Sequence, residues 1–172
     1  MLLSLLILAT AAPAAQSADP LAPARAGQYQ CVIPNQDKKT CVGTTSYKIA
    51  ADGSYESTTQ LFLAPTPLIT MELHTRGSAK DGKLCETVKL ADFQAGTVYL
   101  DGKPADDATS NAVKSQMTAA VSALDGKSAC STIKPDADGL MLNEVAIDGT
   151  VRSDLSQKFI WVGAKDGYKL GM

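Results

Sequence analysis

Histidine is nearly absent from this chain, since His74 is the only one among 172 residues. A catalytic triad or a histidine general base would have to use that single side chain. The four cysteines form no Cys-x-x-Cys pair, so the ligand sets that commonly hold zinc are missing as well. The sequence also contains no Gly-x-Ser-x-Gly elbow and no glycine-rich phosphate loop. We therefore predict no catalytic residue, no metal site and no cofactor.

Positive charge and aromatic side chains are sparse too. Lys and Arg number 16 against 18 Asp and Glu, which gives a net charge of -2, and aromatic residues make up 5% of the chain. No basic stripe with interleaved aromatic residues occurs, and this argues against a nucleic-acid partner. The aromatic residues are scattered and form no ladder of the kind that binds carbohydrate.

Long apolar runs are limited to the start of the chain. Leu2 to Ala12 is almost wholly apolar, but it is shorter than the roughly 20 residues that span a membrane. Ala15-Gln16-Ser17 follows with the small-residue pattern that signal peptidase requires. We predict a signal peptide over residues 1–17, cleaved near Ser17, and a periplasmic or secreted protein with no membrane span.

Composition divides the rest of the chain into two parts. Residues 18–26 are rich in proline and alanine, which predicts a tether. Residues 27–172 suffice for a single domain with an adequate core. We expect this domain to be rich in β-structure and stapled by disulfides.

Four cysteines in an exported chain predict two disulfides, for which three connectivities are possible. We favour Cys31–Cys41 because this pair flanks a turn-rich loop between two apolar stretches. We favour Cys85–Cys130 because it would tie a strand to the far side of the only predicted helix.

Asp-Gly pairs recur along the sequence and require an interpretation. They occur at Asp52-Gly53, Asp81-Gly82, Asp101-Gly102, Asp125-Gly126, Asp138-Gly139, Asp148-Gly149 and Asp166-Gly167. Their spacing is irregular, and none completes the ligand set of an EF-hand calcium loop. Asp-Gly is a favoured hairpin turn, so we interpret the pairs as connections between antiparallel strands.

Three of these turns can be tested by the strand register that they impose. A three-residue loop at 51–53, a turn at 65–67 and a two-residue turn at 81–82 place apolar residues opposite one another. The predicted buried face contains Tyr47, Ile49, Leu61, Leu63, Ile69, Met71, Leu73, Val88 and Leu90. The opposite, polar face contains Glu56, Gln60, Glu72 and His74. A further loop at 165–167 would place Val162 opposite Leu170.

One segment departs from the strand pattern. Residues 106–124 carry apolar side chains at helical spacing, with Pro104 before them and Gly126 after them. We therefore predict a mainly β (α+β) fold. It is an antiparallel meander of about 7–9 strands, forming a curved sheet or a barrel-like one. One amphipathic helix is inserted between the two strand groups.

Candidate functional residues remain few. Strand carboxylates can work as acid–base pairs, and the candidates here are Glu56, Glu72, Glu86 and Glu144. The register gives Glu56 and Glu72 polar partners, which favours surface pairing instead. Trp161 lies in the most apolar run outside the signal, and it is either core or the wall of a ligand pocket.

The function therefore stays open at the level of sequence. The favoured hypothesis is a non-catalytic exported module whose ligand is a small apolar molecule or whose partner is an envelope protein. The alternatives are an enzyme of unfamiliar type that uses His74 or the glutamates, and a secreted inhibitor that uses the exposed loop 64–67.

Overall fold

The computed structural model describes residues 19–172, so the predicted signal peptide lies outside the described residues. The helices are α1 (Ala22–Arg25), α2 (Leu90–Ala95) and α3 (Asp107–Val121). The strands are β1 (Tyr29–Asn35), β2 (Thr40–Ile49), β3 (Ser54–Pro65), β4 (Leu68–Lys80), β5 (Lys83–Thr87), β6 (Thr97–Leu100), β7 (Lys103–Pro104), β8 (Ser128–Pro135), β9 (Met141–Ile147), β10 (Thr150–Val151), β11 (Gln157–Val162) and β12 (Lys169–Leu170).

The strands form one curved, mostly antiparallel sheet, which confirms the predicted fold class. Eight of them pair in a cycle that runs β1–β2–β3–β4–β5–β8–β9–β11 and returns to β1. We call these eight strands the ring. The short strands β6, β7, β10 and β12 pair with members of the ring or with each other, outside this cycle.

Asp-Gly pairs connect neighbouring strands, as the sequence indicates. Asp81-Gly82, Asp101-Gly102 and Asp148-Gly149 each form a two-residue loop between paired strands. Both residues of each loop have positive φ, between 48° and 83°. This backbone is the type I′ turn, whose twist matches that of the flanking strands and which Asp-Gly tolerates. These three pairs therefore serve as hairpin turns.

The predicted register of the central hairpins is largely confirmed. Tyr47 pairs with Ser57, and Leu61 pairs with Met71. A bulge at Leu63 shifts the partner of Ile69 by one residue, to Ala64. The bulge accommodates one extra residue in β3 at the end of the hairpin.

The prediction that Val88 and Leu90 continue this pairing is wrong. Strand β5 ends at Thr87, and Leu90 begins α2. Beyond Thr87 the chain follows the segment that enters β8, because the Val88 N–H donates to the carbonyl of Lys127 and the Gly126 N–H donates to the carbonyl of Val88. These two bonds direct the backbone away from β4.

The C-terminal hairpin is also wrong. Val162 pairs with Tyr29 of β1, whereas Leu170 pairs in parallel with Cys41 of β2. Strand β11 already has β1 on one edge and β9 on the other, so it offers no free edge to a returning strand. The last residues instead cross to the edge of β2.

Helix α3 confirms the predicted helix between the two strand groups. The Asp106 side chain caps its first turn by accepting from the Thr109 N–H at 2.7 Å. Val113 and Met117 pack against the buried cluster of Met71 and Leu73. Helices α2 and α3 thus cover the hairpin of β3 and β4 where it extends towards β6.

The described part of the predicted tether is an ordered piece of the fold, so that prediction is wrong for residues 19–26. Leu21 is 0% exposed and packs against Tyr55 and Leu84. The turn is fixed by the Asp19 carboxylate, which accepts from the Leu21 N–H at 2.9 Å. The burial of this one leucine holds the segment against the domain. The proline- and alanine-rich composition gives no indication of that contact.

Both predicted disulfides, Cys31–Cys41 and Cys85–Cys130, are present. The first joins β1 to β2, and the second joins directly opposed positions of β5 and β8. Two intramolecular disulfides fit an oxidising compartment. Within residues 19–172, no helix is both long and apolar enough to cross a membrane.

Candidate ligand-binding cavity

A cavity of about 350 Å³ lies within the ring. Every one of the eight ring strands contributes at least one lining residue, and α2 adds Phe93. Ligand pockets typically range from about 300 to 1,000 Å³, so this volume suits a small molecule. The cavity arises because side chains at alternate positions along each strand point to the same face.

One end of the cavity is closed by a cluster that we call the floor. Its buried members are Leu21, Tyr55 and Leu84, and Tyr47 and Trp161 pack against them. Tyr47 makes an edge-to-face contact with Tyr55, with ring centroids 5.5 Å apart. Leu21, the residue before α1, thus seals this end, and the aromatic rings pack against it.

Above the floor lies a group of polar side chains connected by hydrogen bonds. Glu86 Oε2 accepts from the Thr75 hydroxyl at 2.8 Å, and the hydroxyls of Thr75 and Ser57 are 2.7 Å apart. A second pair, Thr45 and Thr59, has its hydroxyl oxygens 3.0 Å apart. We call these five residues the polar belt. All five line the cavity.

Burial changes the acid–base behaviour of the groups in this region. It raises the pKa of the Glu86 carboxyl, and the negative charge of Asp92 raises it further, while the hydrogen bond from Thr75 lowers it. Burial also raises the pKa of the Tyr47 and Tyr55 hydroxyls. Both tyrosines therefore stay protonated at neutral pH and can donate hydrogen bonds.

Two amide side chains in the lining hold unused hydrogen-bonding capacity. Gln30 is 4% exposed, and its Oε1 accepts from the Tyr47 hydroxyl at 3.1 Å. Its Nε2 has no hydrogen-bond partner among the described residues, and neither has Oδ1 of Asn143. A buried polar atom without a partner is costly, so both are available to a polar group of a bound molecule.

The other end of the cavity reaches the surface. Ile33 and Gln157 line the cavity and are exposed, which places the mouth between β1 and β11. Phe93 of α2 covers part of this end beside Leu61 and Leu73. Ile33 has φ of 49°, a left-handed backbone that is unusual for a β-branched residue. Strain of this kind concentrates at ligand-binding positions.

Trp161, the residue considered for a pocket wall, packs in the floor. Its ring lies 5.5 Å from that of Phe159 and 6.2 Å from that of Tyr47, between centroids. It contacts the region below the cavity and is absent from the residues that line it. Tyr47 lies between Trp161 and the cavity, since it both lines the cavity and packs against Trp161.

His74 lies on the outer, polar face of β4, with 67% of its side chain exposed. Its Nδ1 is 3.1 Å from the Thr58 hydroxyl, and its Nε2 is 3.2 Å from Glu72 Oε1. This order of hydroxyl, imidazole and carboxylate resembles a hydrolytic triad. Thr58, however, lies in the middle of β3 and pairs with β2 and β4 on its two sides. The backbone N–H groups around it are thus engaged in the sheet, where they cannot form an oxyanion hole.

The four glutamates occupy different environments. Glu56 pairs with Arg76, Glu72 accepts from Gln60, and Glu144 pairs with Lys134. The surface pairing predicted for Glu56 and Glu72 is therefore confirmed.

Glu86 alone of the four lines the cavity. The sequence held a signal for this position. The turn at 81–82 places Glu86 opposite Gly77, on the same face as Leu73 and Thr75.

Comparison with protein-family models, with curated proteins and with solved structures finds no match for this chain. Its function must be argued from the cavity.

Proposed function

We propose that this protein is a non-catalytic binding module that holds one small amphipathic molecule inside the ring. The observation that carries the proposal is the cavity of about 350 Å³, to which all eight ring strands contribute. A fold built for its own stability would fill that volume with side chains, because protein interiors are close-packed. Here the floor is filled and the space above it is not.

The lining indicates the kind of molecule. The apolar side chains of Leu61, Leu73 and Phe93 share the lining with the polar belt. A ligand with a polar head and an apolar body matches this mixed lining. A purely apolar ligand would give no partner to Oε1 of Glu86 or to Nε2 of Gln30, at a cost in free energy.

We place this binding activity in the periplasm or outside the cell. The apolar run Leu2 to Ala12 and the small residues that end at Ser17 support export. The disulfides Cys31–Cys41 and Cys85–Cys130 are compatible with such a location. The molecule bound would then be taken up from the envelope or from the surroundings.

A hydrolase is the alternative, and the chain Thr58–His74–Glu72 is the observation that favours it. The two functions use opposite faces of the sheet. Substitution of His74 therefore separates them, because a general base contributes roughly 10² to 10⁴ in rate and a binder loses nothing on its removal.

Native mass spectrometry of protein purified from its own host tests the proposal. Ala129 lines the cavity opposite Glu86, and Ala129→Phe would place a phenyl ring in the space. We expect the wild-type protein and His74→Ala to carry a small molecule, and Ala129→Phe to carry none. Ala112→Phe, the same change at an exposed position of α3, is the matched control and should carry the molecule.

Circular dichroism must show that each variant is folded. Because an added ring can overpack the interior, Val145→Phe on β9 provides a second filling variant. Retention of the molecule by folded Ala129→Phe and Val145→Phe would refute binding in the cavity. A strain from which the gene has been deleted can be complemented with the wild-type protein or with His74→Ala. If only the wild-type protein rescues the phenotype although His74→Ala is folded, the hydrolase is favoured instead.

A further inference from the structure

We propose that the polar head of the ligand is a protonated nitrogen and that it pairs with Glu86. This inference rests on the proposed binding function and specifies the chemical class of the ligand. It follows from the environment of Glu86, which combines an incompletely satisfied carboxyl group, an orientation fixed by hydroxyl groups, and the lack of a cationic partner among the described residues.

Glu86 has no cationic partner among residues 19–172. Arg and Lys side chains pair with other glutamates of the sheet, such as Glu56 and Glu144, but none pairs with Glu86. Burial is the main cause that raises the pKa of Glu86, and the charge of Asp92 adds to it. A mostly buried carboxylate is stabilised by a cation, which the described residues do not supply.

The hydroxyl groups determine which oxygen of Glu86 is free. The Thr75 hydroxyl donates its only proton in the hydrogen bond to Oε2, so it has none left for Ser57. Ser57, whose hydroxyl oxygen is 2.7 Å from that of Thr75, must then donate to Thr75. The chain Ser57–Thr75–Glu86 therefore points its donors towards the carboxylate and fixes its orientation. Oε1 accepts no hydrogen bond from the described residues and is left for the ligand.

The surroundings suit an ammonium group better than a hydroxyl or a carboxylate. A second carboxylate would meet the like charge of Glu86, which lines the cavity. An ammonium group gives three donors, and the hydroxyl oxygens of the polar belt can accept the donors that Glu86 does not. Charge-assisted bonds of this kind are also stronger than neutral ones.

Isothermal titration calorimetry at about pH 7 with three probes of matched size tests the inference. The probes are 3-phenylpropylammonium, 3-phenylpropanol and 3-phenylpropanoate. For the wild-type protein we expect the ammonium probe to bind at least about tenfold more tightly than the alcohol, and the carboxylate to bind most weakly. Glu86→Gln keeps the size of the side chain and removes its charge, so the ammonium and the alcohol should then bind about equally.

Glu72→Gln is the matched control, because Glu72 lies on the outer face of β4. It should keep the wild-type preference for ammonium. If Glu86→Gln does not fold, Thr75→Val takes its place, since it removes the hydroxyl that orients Glu86 and should weaken the preference.

The outcomes distinguish this inference from the proposed function. Equal binding of ammonium and alcohol to the wild-type protein, or a preference for ammonium that survives in Glu86→Gln, would overturn the inference and leave the binding function standing. If Glu72→Gln loses the preference for ammonium, the cation binds at the outer face, and the inference is also overturned. No heat with any of the three probes would contradict both.

Discussion

At the scale of single residues, Glu86 is the side chain whose surroundings conflict most with its charge. Its carboxyl group accepts one hydroxyl bond, and burial raises its pKa. Burial also raises the pKa of Tyr47 and Tyr55, so these tyrosines stay protonated over the range in which a carboxyl titrates. A group placed in this way destabilises the free protein, as binding residues often do.

This conflict predicts a specific dependence of stability on pH. The pKa of Glu86 is raised above its ordinary value of 4.5, so the folded protein holds the proton more tightly than the unfolded chain does. Below about 4.5 both states are protonated and Glu86 costs nothing. As pH rises through 4.5 and then through the raised pKa, the free energy of unfolding falls.

We therefore expect Glu86→Gln to be more stable than the wild-type protein at neutral pH. The advantage should shrink as pH is lowered through the raised pKa towards 4.5, and it should be lost below about 4.5, because the wild-type carboxyl is then neutral in both states. Urea denaturation of both proteins between about pH 4 and pH 8 measures this difference. A difference that is independent of pH, or a variant less stable throughout, would contradict the argument.

At the scale of elements, local connections are readable from the sequence and distant pairings are not. The turn at 51–53 fixes the register of Tyr47 with Ser57, because its length and the apolar pattern leave one solution. The parallel pairing of Leu170 with Cys41 depends on which strand edges remain free after the whole sheet has formed. Local patterns hold no information on that.

The inward position of the polar belt could not be predicted from the sequence, for a related reason. Ser57, Thr59 and Thr75 alternate with polar residues on the other face, and a row of small hydroxyl side chains is also typical of a strand face in water. Alternation alone does not tell an inward polar face from a solvated one. The inward direction follows only once Leu73, on the same face, is known to be buried within the fold, with Leu61 partly buried beside it.

Leu21, the residue before α1, makes a testable contribution to stability. Leu21 is fully buried against Tyr55, so Leu21→Ala should lower the free energy of unfolding by about 2–5 kcal/mol. Leu68→Ala, at a position that is 37% exposed, is the control and should cost much less. Equal losses for the two variants in urea denaturation would mean that residues 19–26 behave as a tether after all.

The two disulfides should contribute unequally. Cys85 and Cys130 are 45 residues apart in sequence, against 10 for Cys31 and Cys41. On the chain-entropy model, replacement of Cys85 and Cys130 by serine should cost about 4 kcal/mol, and replacement of Cys31 and Cys41 about 3 kcal/mol. Chemical denaturation of the two double variants gives the comparison. A larger loss for the shorter loop would contradict this model.

At the scale of the whole molecule, the two faces of one sheet have different roles. The inner face carries the floor, the polar belt and the mouth, whereas the outer face carries ion pairs such as Glu56–Arg76. The disulfides join neighbouring strands of the ring at β1–β2 and at β5–β8. Such cross-links hold the ring in shape around a space that side chains do not fill.

The most direct test of the central claim is to locate the bound molecule by methyl NMR. Protein that has been unfolded, dialysed and refolded is titrated with an organic extract of the host cells and medium. The account predicts shifts of the methyl resonances of Leu61, Leu73 and Val145, which line the cavity, and none at the exposed Leu68 and Val151. Shifts confined to Leu68 and Val151, or no shift at any cavity methyl group, would contradict it.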